Sequence, residues 1–253
     1  MRLYSAEALL VDVLDLHDRD RIVAFLTREH GLKRGVAQGA RRRYSRFAGQ
    51  LQPLAKAEIT WFEKDGRDLV RVRGVELLRP AHRLQADLDG LLLGSYLADH
   101  VLQFAQENEA SDHLYRLLDS TIEALLAGAP RDLAARYFET WVLRLQGIFP
   151  PPRECPLCGR PFGAGGAVLP IEGDALVCVD CAAGAAGTRV GREVLDALLR
   201  FGRLDLGKLA AAPPGEVALR QIEALCARLR RRFLGHELKS WEVIQEARAR
   251  LPG

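Results

Sequence analysis

Four of the five cysteines fall in two pairs, Cys155-Pro156-Leu157-Cys158 and Cys178-Val179-Asp180-Cys181, nineteen residues apart. A CxxC turn sets both sulfurs on one side of a tight loop, and two such turns supply the four thiolates of a tetrahedral zinc site. The separation lies within the range of zinc ribbons. Pro156 and Gly159 suit a backbone that must turn sharply at the first pair. With Cys155, Cys158, Cys178 and Cys181 filling every coordination position, one zinc ion is expected, structural and with no place for a reacting water. The competing reading, two redox dithiols, is weaker because such motifs place a single CxxC at a helix start. Five cysteines in 253 residues are too few for a disulfide scaffold, which fits a reducing cytoplasm. Cys226, spaced helically among Ile222, Leu225 and Leu229, reads as a small core residue.

Around this module the hydrophobic pattern changes once. Short runs rich in β-branched residues cover Ala8–Leu14, Ile22–Leu26, Leu32–Ala40, Ala55–Phe62 and Leu69–Leu78, and Asp65-Gly66 gives a hairpin signal between the last two. Five strands in about eighty residues predict a small barrel, an OB-fold first and an SH3-like barrel second, since strand count does not separate them. After Pro80 the period becomes helical. Helices are expected over Leu88–Glu107, Ser111–Leu126, Asp132–Gln146, Gly191–Phe201, Gly215–Leu234 and Ser240–Arg250, with a Gly/Ala loop at 181–187. Pro150-Pro151-Pro152 cannot continue the third helix. The fold class is therefore α+β: a five-stranded OB-fold barrel over 1–80, then a helical domain over 81–253 with the zinc module inserted at 150–187. The most apolar stretch, 88–104, holds Asp89, Asp99 and His100 and is too polar to span a bilayer. The first residues lack a signal-peptide pattern.

The formal net charge is only +3, so its distribution matters more than its sum. From His30 to Ala57 there is no acid, and seven bases occur: Lys33, Arg34, Arg41, Arg42, Arg43, Arg46 and Lys56. Arg41-Arg42-Arg43-Tyr44-Ser45-Arg46-Phe47 joins the third and fourth strands. Arginine forks suit phosphate, and Tyr44 or Phe47 could stack on bases. The bland alternative is a solvated loop whose arginines pair with Asp15, Asp18 and Asp20, with Tyr44 packed down. A second basic cluster, Arg228, Arg230, Arg231 and Arg232, wraps a late helix and reads first as a solvated face, second as a DNA contact. No phosphate-binding P-loop, HExxH or GxSxG motif occurs, and the six histidines are scattered. Asp12, Asp15, Asp18 and Asp20 could serve a metal-dependent nuclease but, flanked by Arg19 and Arg21, read more simply as a charged turn. The chain is expected to have no catalytic centre.

In order and spacing, several segments resemble the RecO family of recombination mediators over nearly the whole chain. They are Asp20-Arg21-Ile22-Val23, Leu26 to Leu32, Val36 to Arg42, Ser45-Arg46, Leu51-Gln52-Pro53-Leu54, Val75-Glu76-Leu77-Leu78, Arg136-Tyr137-Phe138-Glu139 with Leu143 and Gly147, and Leu238-Lys239-Ser240. The resemblance implies an OB-fold that binds single- and double-stranded DNA. It also implies strand annealing without ATP, action with RecR in loading RecA onto strands coated by the single-stranded DNA-binding protein (SSB), and capture of the acidic SSB tail by the helical domain. The location implied is cytoplasmic, at the nucleoid, with no membrane partner. On this footing Lys33, Arg34, Arg41, Arg42, Arg43 and Arg46 are the expected phosphate contacts, Tyr44 the stacking residue, and Arg136, near Leu133 and Phe138, the base for the tail's carboxylate. A zinc-ribbon nucleic-acid accessory factor without annealing activity is the alternative, and a scaffold whose basic loop binds only protein acids is a further one.

Overall fold

The structure, a computed structural model, describes residues 1–64 and 66–250. Asp65 of the expected Asp-Gly turn lies outside the described residues. The chain forms two compact units, one of Met1–Leu126 with the chain from Lys239 onward, the other Ala127–Leu238. The change from strand to helix falls at Pro80, well inside the first unit.

Five strands open the first unit: β1 (Arg2–Leu16), β2 (Asp20–Thr27), β3 (Gly31–Ala37), β4 (Lys56–Glu63) and β5 (Val70–Arg79). They close a barrel in the order β1-β2-β3-β5-β4, and β4 pairs back onto β1. The parallel pairing of β3 with β5, Gly35 opposite Val70 and Val36 opposite Arg71, decides the barrel type. An SH3-like meander would pair β3 with β4; this is the five-stranded OB arrangement. Its interior is filled by Trp61, fully buried, against Phe25 and Tyr4 at ring separations of 5.3 and 5.5 Å.

β1 begins six residues earlier than its apolar run suggests. Its first half pairs with β4 and its second half with β2, and a bulge between Leu10 and Asp12 lets one long strand serve both neighbours. Because β3 and β4 are not neighbours, residues 38–55 must cross the barrel end. This crossing is pinned by Ala40, Phe47, Leu51 and Leu54, all buried.

A single 3-10 turn (His82–Gln85) leads to α1 (Leu88–Phe104), whose N-cap Asp87 accepts the Gly90 N–H at 2.8 Å. α1 stops three residues short of the sequence expectation. The following segment turns extended and runs along β3: Leu32 N donates to Gln106 O at 3.3 Å, and Asn108 N to Leu32 O at 3.2 Å. α2 (Asp112–Leu126) packs on β2, and α8 (Lys239–Arg250) on α1. There Ser240 Oγ donates to Asp99 at 2.7 Å and Trp241 meets Tyr96.

The second unit holds α3 (Arg131–Leu145), the strands β6 (Ala167–Pro170), β7 (Val177–Cys178) and β8 (Gly187–Val190), the short α4 (Val179–Ala182), then α5 (Arg192–Phe201), α6 (Leu206–Ala211) and α7 (Glu216–Leu234). α3 packs on α7. The strands form a small antiparallel sheet, β7-β6-β8, which the glycine-rich composition of the module hid. α6, also unforeseen, is too short to show a period; Asp205 caps it through Lys208 N at 2.8 Å.

Gly31 tests the crossing of β3 by the post-α1 segment. It holds φ +62°, and an added Cβ would lie 1.9 Å from the Glu109 carbonyl oxygen. Gly31→Ala is expected to cost about 2–3 kcal/mol in urea unfolding. Gly49, with φ +71° and open space around it, should lose only about 1 kcal/mol on the same change. Equal losses would contradict the packing described.

Candidate nucleic-acid interface and metal centre

The barrel-crossing segment presents two faces. Phe47, Leu51 and Leu54 point inward, while Arg42, Arg43, Tyr44 and Arg46 are exposed. The start of the crossing is stapled to the β1–β2 turn. Asp20 accepts the Gly39 N–H at 2.8 Å, Arg41 N donates to Arg19 O at 3.0 Å, and the Arg41 guanidinium meets Asp15 at 3.4 Å and His17 O at 2.8 Å. Asp15 also pairs with Arg21 at 3.1 Å. Two acids of the turn thus position the loop, and neither pairs with the arginines beyond Arg41. Among the described residues no carboxylate pairs with Arg42, Arg43 or Arg46. Tyr44 is 88% exposed, so it is not packed down, and the Arg43 guanidinium lies 5.5 Å from its ring centre. Phe47, the other stacking candidate, is 2% exposed and anchors the loop instead.

Not all the expected bases gather here. Lys33 is buried, its Nζ held by Glu63 at 3.1 Å and Asn108 at 2.7 Å, and Arg34 pairs with Glu107 at 2.8 Å. Both are engaged by the segment after α1 that lies along β3, or by β4, and neither joins the loop's exposed face. Lys56 bridges Glu7 and Asp119. Other bases take their place. Arg19 and Arg71 join Arg42 and Arg46 around an open pocket of about 720 Å³ that His17, Asp18, Asp20, Gln38 and Gly39 also line. The signal for Arg71 was present in Val70-Arg71-Val72-Arg73, where the alternation sends both valines into the barrel and both arginines out.

In the second unit the four cysteine sulfurs lie within 4.8 Å of one another. Cys158 Sγ and Cys178 Sγ are 3.8 Å apart, far beyond a disulfide bond. They match the roughly 3.8 Å edge of a tetrahedron with metal–sulfur bonds near 2.3 Å. The first knuckle closes by Gly159 N to Cys155 O at 2.8 Å, with Gly159 at φ +69°. In the second, Cys181 N donates to Cys178 Sγ at 3.4 Å. Desolvation raises the Cys155 thiol, but backbone N–H donors led by that of Cys178 outweigh it and bring it down to about 6. Cys181, facing the sulfurs of Cys178 and Cys158, is pushed up to about 12. Four sulfurs this close cannot all carry charge without a cation among them, and a bound metal ion resolves that conflict. Arg160, hydrogen-bonded to Cys158 and 3.0 Å from Asp180, adds positive charge beside the cluster. Among the described residues these cysteines are the one such group of potential metal ligands; Asp12, Asp15, Asp18 and Asp20 do not converge.

Two further expectations change. Arg136 is buried, its guanidinium between Glu139 at 2.5 Å and Glu223, because α3 turns this residue toward α7. The C-terminal arginines form a solvated face only in part. Arg230 is fully buried on Glu237 at 2.5 Å. Arg228 reaches Leu169 O at 2.9 Å and Thr188 Oγ1 at 2.8 Å, and Arg232 reaches Ile171 O and Gly173 O, each at 3.2 Å. They tie α7 to carbonyls at the end of β6 and in the turn after it. Arg231 and Arg232 keep the expected exposure. Cys226 is a buried thiol, pushed up to about 12 by desolvation and the nearby Glu139 charge, as a core role requires. Among the described residues no helix is long and apolar enough to cross a membrane.

The family model for the N-terminal part of recombination protein O matches residues 1–81, and that for its C-terminal part matches residues 85–242. The chain is 33% identical over 236 residues to the DNA repair protein RecO of Anaeromyxobacter sp. (strain K), covering 91% of this chain and 89% of that protein. It is 33% identical over 180 residues to RecO of Gloeobacter violaceus (70% and 68% covered) and 26% identical over 245 residues to RecO of Desulforamulus reducens (96% and 94%). The barrel, the helical part and its cysteine cluster therefore stand in a chain that belongs to the RecO family of recombinational DNA repair proteins.

Proposed function

We propose that this chain binds DNA without catalysing a covalent step and anneals complementary strands without ATP, and that with RecR it helps RecA load onto SSB-coated single strands. The observation that carries the reading is the exposed set Arg42, Arg43, Tyr44 and Arg46 on the barrel-crossing loop, clear of carboxylate partners among the described residues. Annealing requires that two phosphate backbones approach while their base edges remain free to pair. Guanidinium contacts to phosphate neutralise charge, release counterions and carry no sequence information. An exposed aromatic ring such as Tyr44 can hold a base by stacking, which tolerates any sequence. Both halves of the task are thus open to a rigid loop with no moving parts, and energy from nucleotide hydrolysis is not needed.

In this reading the four cysteines hold one zinc ion as a structural centre of the second unit. The Arg41 guanidinium, bound to Asp15 and His17 O, sets the loop and contributes less directly to DNA. Lys33 and Arg34 support the barrel. The acidic SSB tail would need an apolar groove and a free base; Arg136 is engaged by two glutamates and is not assigned that role. The test is the rate at which the protein pairs two complementary oligonucleotides in the absence of ATP. Pairing accelerated well above the spontaneous rate is expected. Binding without acceleration would favour a zinc-ribbon accessory factor.

A further inference from the structure

The barrel carries basic residues beyond the loop. On β5, Val70 and Val72 are buried while Arg71 and Arg73 project outward. Arg71 lines the same open pocket as Arg19, Arg42 and Arg46. Arg73 sits one outward position further along the strand, its guanidinium 5.5 Å from the ring centre of Phe62 on β4. Phe62 lies opposite both Arg71 on β5 and Leu3 on β1, and Leu3 is 59% exposed. Phe62 and Leu3 form an apolar pair on the outer face beside the two guanidinium groups, and no carboxylate among the described residues pairs with either arginine. The acids of the same face, Glu7, Glu58 and Glu76, stand in one row across β1, β4 and β5 further along the strands, about 10 Å beyond Arg73 at 3.4 Å per residue. The face is positive at Arg71 and Arg73 and negative across that row, beyond which Lys56 and Arg79 pair with Glu7, Asp119 and Glu123.

We propose that Arg71 and Arg73 extend the nucleic-acid surface from the loop, through the pocket, onto the outer face of β5, where they contact the phosphates of a single strand whose bases lie against Phe62 and Leu3. The inference rests on the reading of the loop as a DNA surface and lengthens the footprint that the loop alone would give. An alternating charge pair on a strand is usually a solvated face. Here continuity with the loop arginines and the opposite sign of the far end favour a polyanion running in one direction. A strand of DNA fits this better than an acidic protein, because phosphates repeat along a line and the Phe62 ring offers stacking to any base.

The experiment is the salt dependence of binding to a fluorescein-labelled oligodeoxythymidylate, followed by anisotropy across about 50–200 mM salt. The wild type is compared with Arg71→Gln/Arg73→Gln, Arg71→Lys/Arg73→Lys and Arg42→Gln/Arg46→Gln. Each phosphate contact contributes about 0.7 to the slope of log K against log salt for single strands. The β5 glutamine variant should lose about 1.4 in slope, and the lysine variant should keep it. A purely structural role would move the melting temperature of the glutamine variant and leave the slope alone. Wild-type slope and affinity in the β5 glutamine variant, with the loop variant weakened, would overturn this inference while leaving the loop as the DNA surface; β5 would then be open to an acidic protein. No binding by the wild type would sink both readings.

Discussion

Cys155→Ser is expected to abolish metal binding and unfold much of the second unit. Cys155 is buried at the base of the first knuckle, and its Sγ cannot be replaced by the hydroxyl of serine, a poor ligand for a soft, thiolate-rich site. In small zinc-dependent domains the ion contributes about 10 kcal/mol or more to folding. Here α7 is lashed to the end of β6 by Arg228 and Arg232, so loss of the small sheet should also loosen the α3–α7 pair. Native mass spectrometry should find one zinc per wild-type chain and none in the variant. The melting transition assigned to the second unit should fall by at least about 10 °C, since about 3 kcal/mol already shifts a unit of this size that far. Because binding must displace protons from thiols such as that of Cys181, metal affinity should weaken as pH falls. A folded, metal-free wild type with four free thiols in the cluster would contradict the assignment.

The second large effect is expected from Arg136→Ala. This change leaves Glu139, fully buried, and the mostly buried Glu223 facing each other without their shared cation. Removing one partner of a buried ion pair costs about 3–5 kcal/mol, most of it the penalty of the charge left behind. Urea unfolding of the second unit should show that loss. Arg136→Met combined with Glu139→Gln and Glu223→Gln should recover most of it, because no uncompensated charge then remains. A single change within about 1 kcal/mol of wild type would contradict the buried network and return Arg136 to the surface as a candidate for the SSB tail.

The contrast between these two sites shows what could be read from the chain before folding. The cysteine cluster is set by local spacing: two turns, each complete within four residues, needed only to meet. Arg136 was an expected base for the tail on the strength of the resemblance and of its neighbours Leu133 and Phe138. Its acid Glu139 is one turn away, but Glu223 lies 87 positions further on. The burial of Lys33 was hidden for the same reason. Its partner Asn108 is 75 positions distant, in a segment read as the end of a helix, and that segment's lie along β3 is what engages both Lys33 and Arg34. The strands and most helices were legible in their periods, yet the barrel type was not, because it turns on the parallel β3–β5 pairing between residues 35 and 70. The basic loop was legible as a charge run. Which of its arginines face outward depended on two long-range facts, the Asp15 and Asp20 staples and the burial of Phe47. Arg71 and Arg73 stand out in the sequence only through the alternation Val70-Arg71-Val72-Arg73, not through a run of charge.

The measurement that bears most directly on the account is annealing of complementary SSB-coated oligonucleotides without ATP, comparing the wild type with Arg42→Ala/Arg43→Ala/Arg46→Ala. These three arginines are exposed and free of carboxylate pairs among the described residues, so the variant should melt with the wild type. The account predicts fast wild-type annealing and a rate at least about tenfold lower in the variant, following the loss of three phosphate contacts. Annealing by the variant at the wild-type rate, or none by the wild type, would contradict it.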